Sequence, residues 1–139
     1  MCVRCLSDMI RTSKILCAIG CVLLLVTAIF HATGYSVVRD AMAASSIPAF
    51  FRDALPGVWL HFSIHLVVLV FFGAVALFTT HGARSLLSLL ALAVSVDAAL
   101  VFYFAGFFAG VALLIAAALC FALAAIQHVA PRPASHGGT

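Results

Sequence analysis

Four long apolar runs, at about residues 15–36, 57–79, 86–105 and 107–128, restrict this chain to a single kind of solvent. Each is close to the roughly 20 residues that an α-helix needs to cross a hydrocarbon core about 30 Å thick. Lipid offers no water to pair with backbone N–H and C=O groups, so a crossing segment must satisfy them internally, and a helix does. Of the 139 residues, 66% are hydrophobic and 8% charged, whereas a soluble domain carries roughly 25% charged residues. The expected fold is an all-α integral membrane protein with four transmembrane helices in an up-down bundle. Little sequence is left over, so one transmembrane domain is expected over 15–128. A basic cytoplasmic segment, 1–14, precedes it, and a tail, 129–139, follows. Pro131, Pro133, Gly137 and Gly138 in that tail predict disorder.

The charges carry an orientation. Arg4, Arg11, Lys14, Arg84 and Arg132 flank the runs on one side, and Arg39 and Arg52 on the other. The positive-inside rule then places both termini in the cytoplasm. The net charge of +3 reflects this asymmetry, and nucleic acid is not an expected partner. The expected location is a bacterial inner (plasma) membrane. The first run is too long for the core of a cleaved leader, and Ala41-Met42-Ala43 lies too far beyond it to be the cleavage site. Ala18-Ile19-Gly20-Cys21 loosely resembles a lipoprotein box, but most of the apolar run follows its cysteine. The five cysteines lie in segments placed inside or on the cytoplasmic side of the membrane, so no disulfide framework is expected. Cys2-Val3-Arg4-Cys5 lacks the strand-helix setting of a thioredoxin-like motif, which leaves reduced thiols.

Residues 37–56 read as an external loop with short interfacial turns. Two stretches in it share a pattern, Val37-Val38-Arg39-Asp40-Ala41-Met42 and Phe50-Phe51-Arg52-Asp53-Ala54-Leu55, and each suits a membrane surface with its apolar side down. Trp59 opens the second run at interface depth. Residues 80–85 form a tight turn, and Gly106 is the one evident hinge between the third and fourth runs, which should pair as a close hairpin. Ala112, Ala116, Cys120 and Ala124, with Gly106 and Gly110, predict a small-residue packing ridge on the fourth helix. Most phenylalanines of the second and third helices are expected to face lipid.

Ionisable side chains inside the membrane are costly and by default point to function. Asp97 lies near the middle of the third run with no basic residue within a helical turn, so it needs either a proton or a partner from another helix. Thr27, His31 and Tyr35 are spaced by four on the first helix, and His61 and His65 by four on the second, so each set shares a face. At about 1.5 Å per residue, His31 and His61 lie roughly 6–8 Å inside the outer boundary, and His65 and Asp97 roughly 12–14 Å. Four ionisable groups from three helices thus reach similar depth in the outer half of the membrane.

Three uses of such a cluster are open. A metal ion could take His31, His61, His65 and Asp97 as ligands, although Phe62-Ser63-Ile64 between the paired histidines lacks the glutamate of a His-Glu-x-x-His motif. A haem could use His31 opposite His61 or His65, with Arg39 or Arg52 at its propionates. Without a cofactor, His65 and Asp97 form a candidate proton-transfer pair acting on a lipid-soluble substrate, with Thr27, Tyr35 and Ser63 supplying hydrogen bonds. Against all three, the same side chains can serve only as interhelical glue. A rival of another class is an accessory or assembly subunit that docks on a membrane-protein partner, or a homo-oligomer, through its small-residue seam and aromatic faces. His81, His128 and His136 fall in a turn, a helix end and the tail, where solvated histidines are ordinary.

Overall fold

The computed structural model describes residues 3–79 and 81–128. Among them the chain is entirely helical apart from its turns: α1 (Val3–Thr33), α2 (Tyr35–Ala43), α3 (Ala49–Phe78), α4 (Ala83–Ala105) and α5 (Ala109–Gln127). Four stretches are long and apolar enough to cross a membrane, Met9–Ala43, Ala49–Phe78, Ala83–Ala105 and Ala109–Gln127. The protein is a multi-pass membrane protein built as a helical bundle. Cys2, Thr80, Arg132, His136 and the tail expected at 129–139 lie outside the described residues.

Helix bounds differ from the expected ones where polar residues were taken as breaks. Residues before 15 are helical from Val3 onward, and Ser13 is buried, with its hydroxyl donating to the Ala124 carbonyl at 2.8 Å. The packed bundle therefore reaches into the segment read as a free basic head. Residues 37–56 are also largely helical. α2 continues almost directly from α1, and α3 starts at Ala49 behind Pro48 and runs through Pro56. Pro56 costs α3 one backbone rung, but a proline is tolerated in a membrane helix where neighbours cover the freed groups, and Pro56 is buried. Polarity marked the membrane boundary in both places, and the helices pass through it.

The break between α1 and α2 has a specific cause. In a regular helix the His31 carbonyl would accept from Tyr35 N–H. Here it accepts the Trp59 indole N–H at 2.9 Å and Gly34 N–H at 3.1 Å. A side chain inserted into the backbone ladder is a recognised source of helix irregularity. Gly34 makes room for it, since a Cβ there would lie 3.0 Å from Cζ2 of Trp59. At the other turns Gly82 and Gly106 carry positive φ of 79° and 76°, so both connections of α4 turn on residues without a Cβ.

α1 packs against α3 and α5, and α4 packs against α5 and, more sparsely, α3; α2 lies on α3. Near the cytoplasm-predicted end, Phe121 of α5 is fully buried over glycines of two other helices. A Cβ on Gly20 of α1 would sit 2.9 Å from its Cζ, and one on Gly73 of α3 would sit 3.5 Å from its Cε1 and collide with Cys21 Sγ. Cys17 Sγ also donates to the Gly73 carbonyl at 3.4 Å. Close approach of backbones over small residues, with a few interhelical hydrogen bonds, is what holds helices together in lipid.

The ridge expected on the fourth helix is corrected by this packing. Ala112 is exposed, Ala116 and Cys120 are only partly covered, and of that row Ala124 alone is buried. The buried stripe of α5 runs Gly110, Leu114, Ala117, Phe121, Ala124. A strict four-residue step advances 40° round a helix with 3.6 residues per turn, so such a row leaves the contact face, whereas alternating steps of three and four stay on it. Gly73→Ala should lower thermal stability in detergent, at a cost of about 1–3 kcal/mol from overpacking, and adding Cys21→Ala should recover most of that loss. Equal stability of Gly73→Ala and wild type, followed by thermal unfolding, would contradict this packing.

Candidate functional site

Above the Phe121 contact, helices are joined by polar contacts centred on two histidines. On α1, His31 Nδ1 is hydrogen-bonded to Ser63 Oγ of α3 at 3.0 Å. Its ring stacks on Trp59 with centroids 4.1 Å apart and planes inclined by 15°, and Phe62 meets it edge-on at 4.9 Å. Trp59, Phe62 and Ser63 project from adjacent positions of α3 over three to four residues, the spacing that puts side chains on one helix face. His31 is therefore held on three sides by a single turn of α3. Trp59, the chain's only tryptophan, is bound twice to the same residue, through ring stacking and through the His31 carbonyl.

The second contact joins α3 to α4. His65 Nε2 and Asp97 Oδ2 lie 3.1 Å apart. The Asp97 side chain is 15% exposed and the His65 side chain 39%, so the carboxyl points inward and the imidazole reaches the outer face of the bundle. With one proton between them, either neutral acid beside neutral imidazole or carboxylate beside imidazolium, the pair carries no net charge. That is the state a low-dielectric interior favours, because an unpaired ion there is expensive. A carboxyl and an imidazole at this distance can share one proton.

Asp97 and His31 both face a cavity of about 950 Å³. Its other walls include Thr27, Trp59, Leu100 and Leu114, and it is overwhelmingly apolar. Local sequence explains the opening. α3 and α4 meet only sparsely here, α5 contributes Gly110, and no side chain fills the space as Phe121 fills it lower down. The Thr27 hydroxyl is satisfied within its own helix by the Leu23 carbonyl at 2.8 Å. A concave apolar space of this size with a few convergent polar groups is the usual form of a small-molecule site.

The structure brings together two of the expected residues as a pair, His65 and Asp97, and places His31 apart from them with Ser63 and Trp59. His61 is exposed on α3, since a step of four residues from His65 turns it about 40° round the helix as well as one turn along it. Tyr35 lines a separate, smaller pocket at the outer surface. Among the described residues no three of His, Cys, Asp and Glu converge to hold a metal ion, so the shared ligand set of His31, His61, His65 and Asp97 has no support in the geometry. A haem between opposing imidazoles has none either, because His31 is engaged by Ser63 and Trp59 while His65 is engaged by Asp97. Matching depth brought these groups to one level of the bundle, but rotation about each helix divided them. The part of Trp59 was not foreseen: an interfacial tryptophan is ordinary, and only the glycine at position 34 hinted that a ring would pack there.

Comparisons with protein-family models, with curated proteins and with solved structures find no match to this chain. Function is therefore argued from the site. If the His65–Asp97 contact links the helices, a double-mutant cycle of His65→Ala and Asp97→Ala should give a coupling of about 0.6–2 kcal/mol, while His61→Ala leaves stability unchanged. Additive losses from the two variants, measured by unfolding in mixed micelles, would show that the contact is not made.

Proposed function

We propose that this protein holds a lipid-soluble molecule in the cavity and exchanges a proton with it through the Asp97–His65 pair. One observation carries the reading: the carboxyl that lines the cavity is the same one that lies 3.1 Å from an imidazole. Asp97 is the group that touches the bound molecule. His65 stands behind it, takes or returns the proton, and keeps the pair neutral between transfers. His31, fixed against Trp59, presents a second polar edge to the same space, suited to orienting a carbonyl or hydroxyl. The apolar walls exclude water, so proton exchange is confined to the pair and its ligand.

In this reading the helices alternate in direction across the membrane and both termini are cytoplasmic. The distribution of Lys and Arg supports that orientation. It puts Arg39 and Arg52 outside, the cavity in the outer half, and the Phe121 contact in the inner half. A bacterial inner membrane suits this arrangement.

Two measurements follow. In infrared spectra of the protein in nanodiscs, the carboxyl signal that is absent from Asp97→Asn should change in frequency or amplitude in His65→Ala, because the imidazole shares its proton. A carboxyl signal that is identical in wild type and His65→Ala would remove the proton-exchange role. For the orientation, Ser46→Cys should react with a membrane-impermeant maleimide in intact cells while Cys5 reacts only after lysis, and the reverse order of labelling would invert the topology.

A further inference from the structure

The two Arg-Asp-Ala stretches have no part in the cavity chemistry above, yet the fold sets them side by side. α2 lies on α3, and between them is a second, smaller pocket of about 260 Å³ lined by Tyr35, Arg39, Ala43, Arg52, Asp53 and Pro56. Its walls adjoin those of the large cavity residue by residue. On α2 and the residue that caps its start, Gly34, Val38 and Met42 line the large cavity, and the residue after each, Tyr35, Arg39 and Ala43, lines the small pocket. On α3, Leu55 faces the first and Pro56 the second. The shared pattern thus divides on folding, with Val38, Met42 and Leu55 toward the 950 Å³ space and both arginines toward the 260 Å³ one.

We infer that the occupant is an amphiphile whose phosphate-bearing headgroup sits between Arg39 and Arg52 and whose acyl chains fill the apolar cavity. This rests on the part of the reading above that puts a lipid-soluble molecule in the cavity, independently of the proton exchange, and narrows that molecule to one class. The arginines are free to take such a group. Arg39 is bonded to Asp40, its neighbour in sequence, at 3.0 Å, and Arg52 lies 3.9 Å from Asp53, all with substantially exposed side chains. Exposed pairs of this kind are weak, whereas a guanidinium and a phosphate form charge-assisted, often bidentate bonds. Tyr35 adds a hydroxyl. Asp53, on the same wall, repels a bare anion and accepts an ammonium or hydroxyl beyond the phosphate, which favours a lipid head over free phosphate. The depth of the two spaces agrees, because the charged pocket is formed by the segment leading into the membrane and the apolar cavity by the helices below it.

Trp59 lines the large cavity and is the chain's one tryptophan, so a spin-labelled acyl chain seated there quenches its emission. The full chain in uncharged maltoside micelles is titrated with doxyl-labelled phosphatidylethanolamine and, separately, with doxyl-labelled diacylglycerol, which has the chains without the phosphate. The expected result is saturable quenching by the phospholipid. Its affinity should be about tenfold or more weaker in Arg39→Gln/Arg52→Gln, partly recovered in Arg39→Lys/Arg52→Lys, and matched in wild type by the weaker diacylglycerol. The exposed positions of both arginines make the variants tolerable to the fold, and unchanged helicity and unquenched Trp59 emission check that. Equal affinity of phospholipid and diacylglycerol, or of wild type and the glutamine variant, overturns the headgroup assignment while leaving the cavity occupied. Displacement of the phospholipid by inorganic phosphate alone overturns the lipid as the source of the phosphate. Absence of saturable quenching by either lipid overturns the cavity reading itself.

Discussion

The ring of Phe121, seated over Gly20 and Gly73, is the contact on which the arrangement of the helices depends. In water a phenylalanine would be buried by the hydrophobic effect, but lipid chains are as apolar as its neighbours, and only the fit of one surface on another favours association. Gly20 allows α5 to approach α1, and the Phe121 ring reaches past it to Gly73 of α3. Ser13, Cys17 and Cys21 of α1 add hydrogen bonds from side chain to the backbone of α5 and α3 at the same level. Three helices are thereby locked at one end.

The other end is built differently, and the contrast produces the site. There the helices are held by histidine contacts and by the Trp59 indole beside a space that no large side chain fills. His31 is braced by one turn of α3, and α4 is tied to α3 through His65 and Asp97. Polar bonds across membrane helices contribute modestly, about 0.6–2 kcal/mol each, and they leave space where a large side chain would have filled it. The result is a bundle that is closed at one end and hollow at the other, with Asp97 on the wall of the hollow. A rigid base beneath an open, polar-edged cavity is what a binding site in a membrane requires.

Much of this was legible in the sequence. Four apolar runs marked the four helices long and apolar enough to cross a membrane, and the cost of a carboxylate in lipid singled out Asp97 and required a partner for it. The pairing with His65 followed from residue type and depth, because both can be counted along a helix axis. What could not be counted was rotation. His61 and His65 share a nominal face, yet a turn apart is enough to leave His61 exposed and His65 at α4. The small-residue row Ala112, Ala116, Cys120, Ala124 failed for the same reason, since its spacing drifts round α5 while the true seam alternates threes and fours. Breaks were misread where polarity was taken as an end of helix: Arg39, Asp40, Arg52 and Pro56 all lie within helices that continue beyond the apolar run. The glycine at 34 was visible, but its use, making room for Trp59 against His31, needed the third dimension.

The central claim is that the intramembrane polar residues form one proton-sharing pair, Asp97 with His65, rather than a four-residue cluster. Solid-state NMR of the protein in bilayers, with ¹⁵N-histidine and ¹³C-aspartate, tests it through dipolar contacts from the Asp97 carboxyl carbon to imidazole nitrogens, assigned by single substitution of each histidine. The account predicts a contact at hydrogen-bond range that disappears in His65→Ala and persists in His31→Ala and His61→Ala. A contact that survives His65→Ala, or none at all in the wild type, would contradict it.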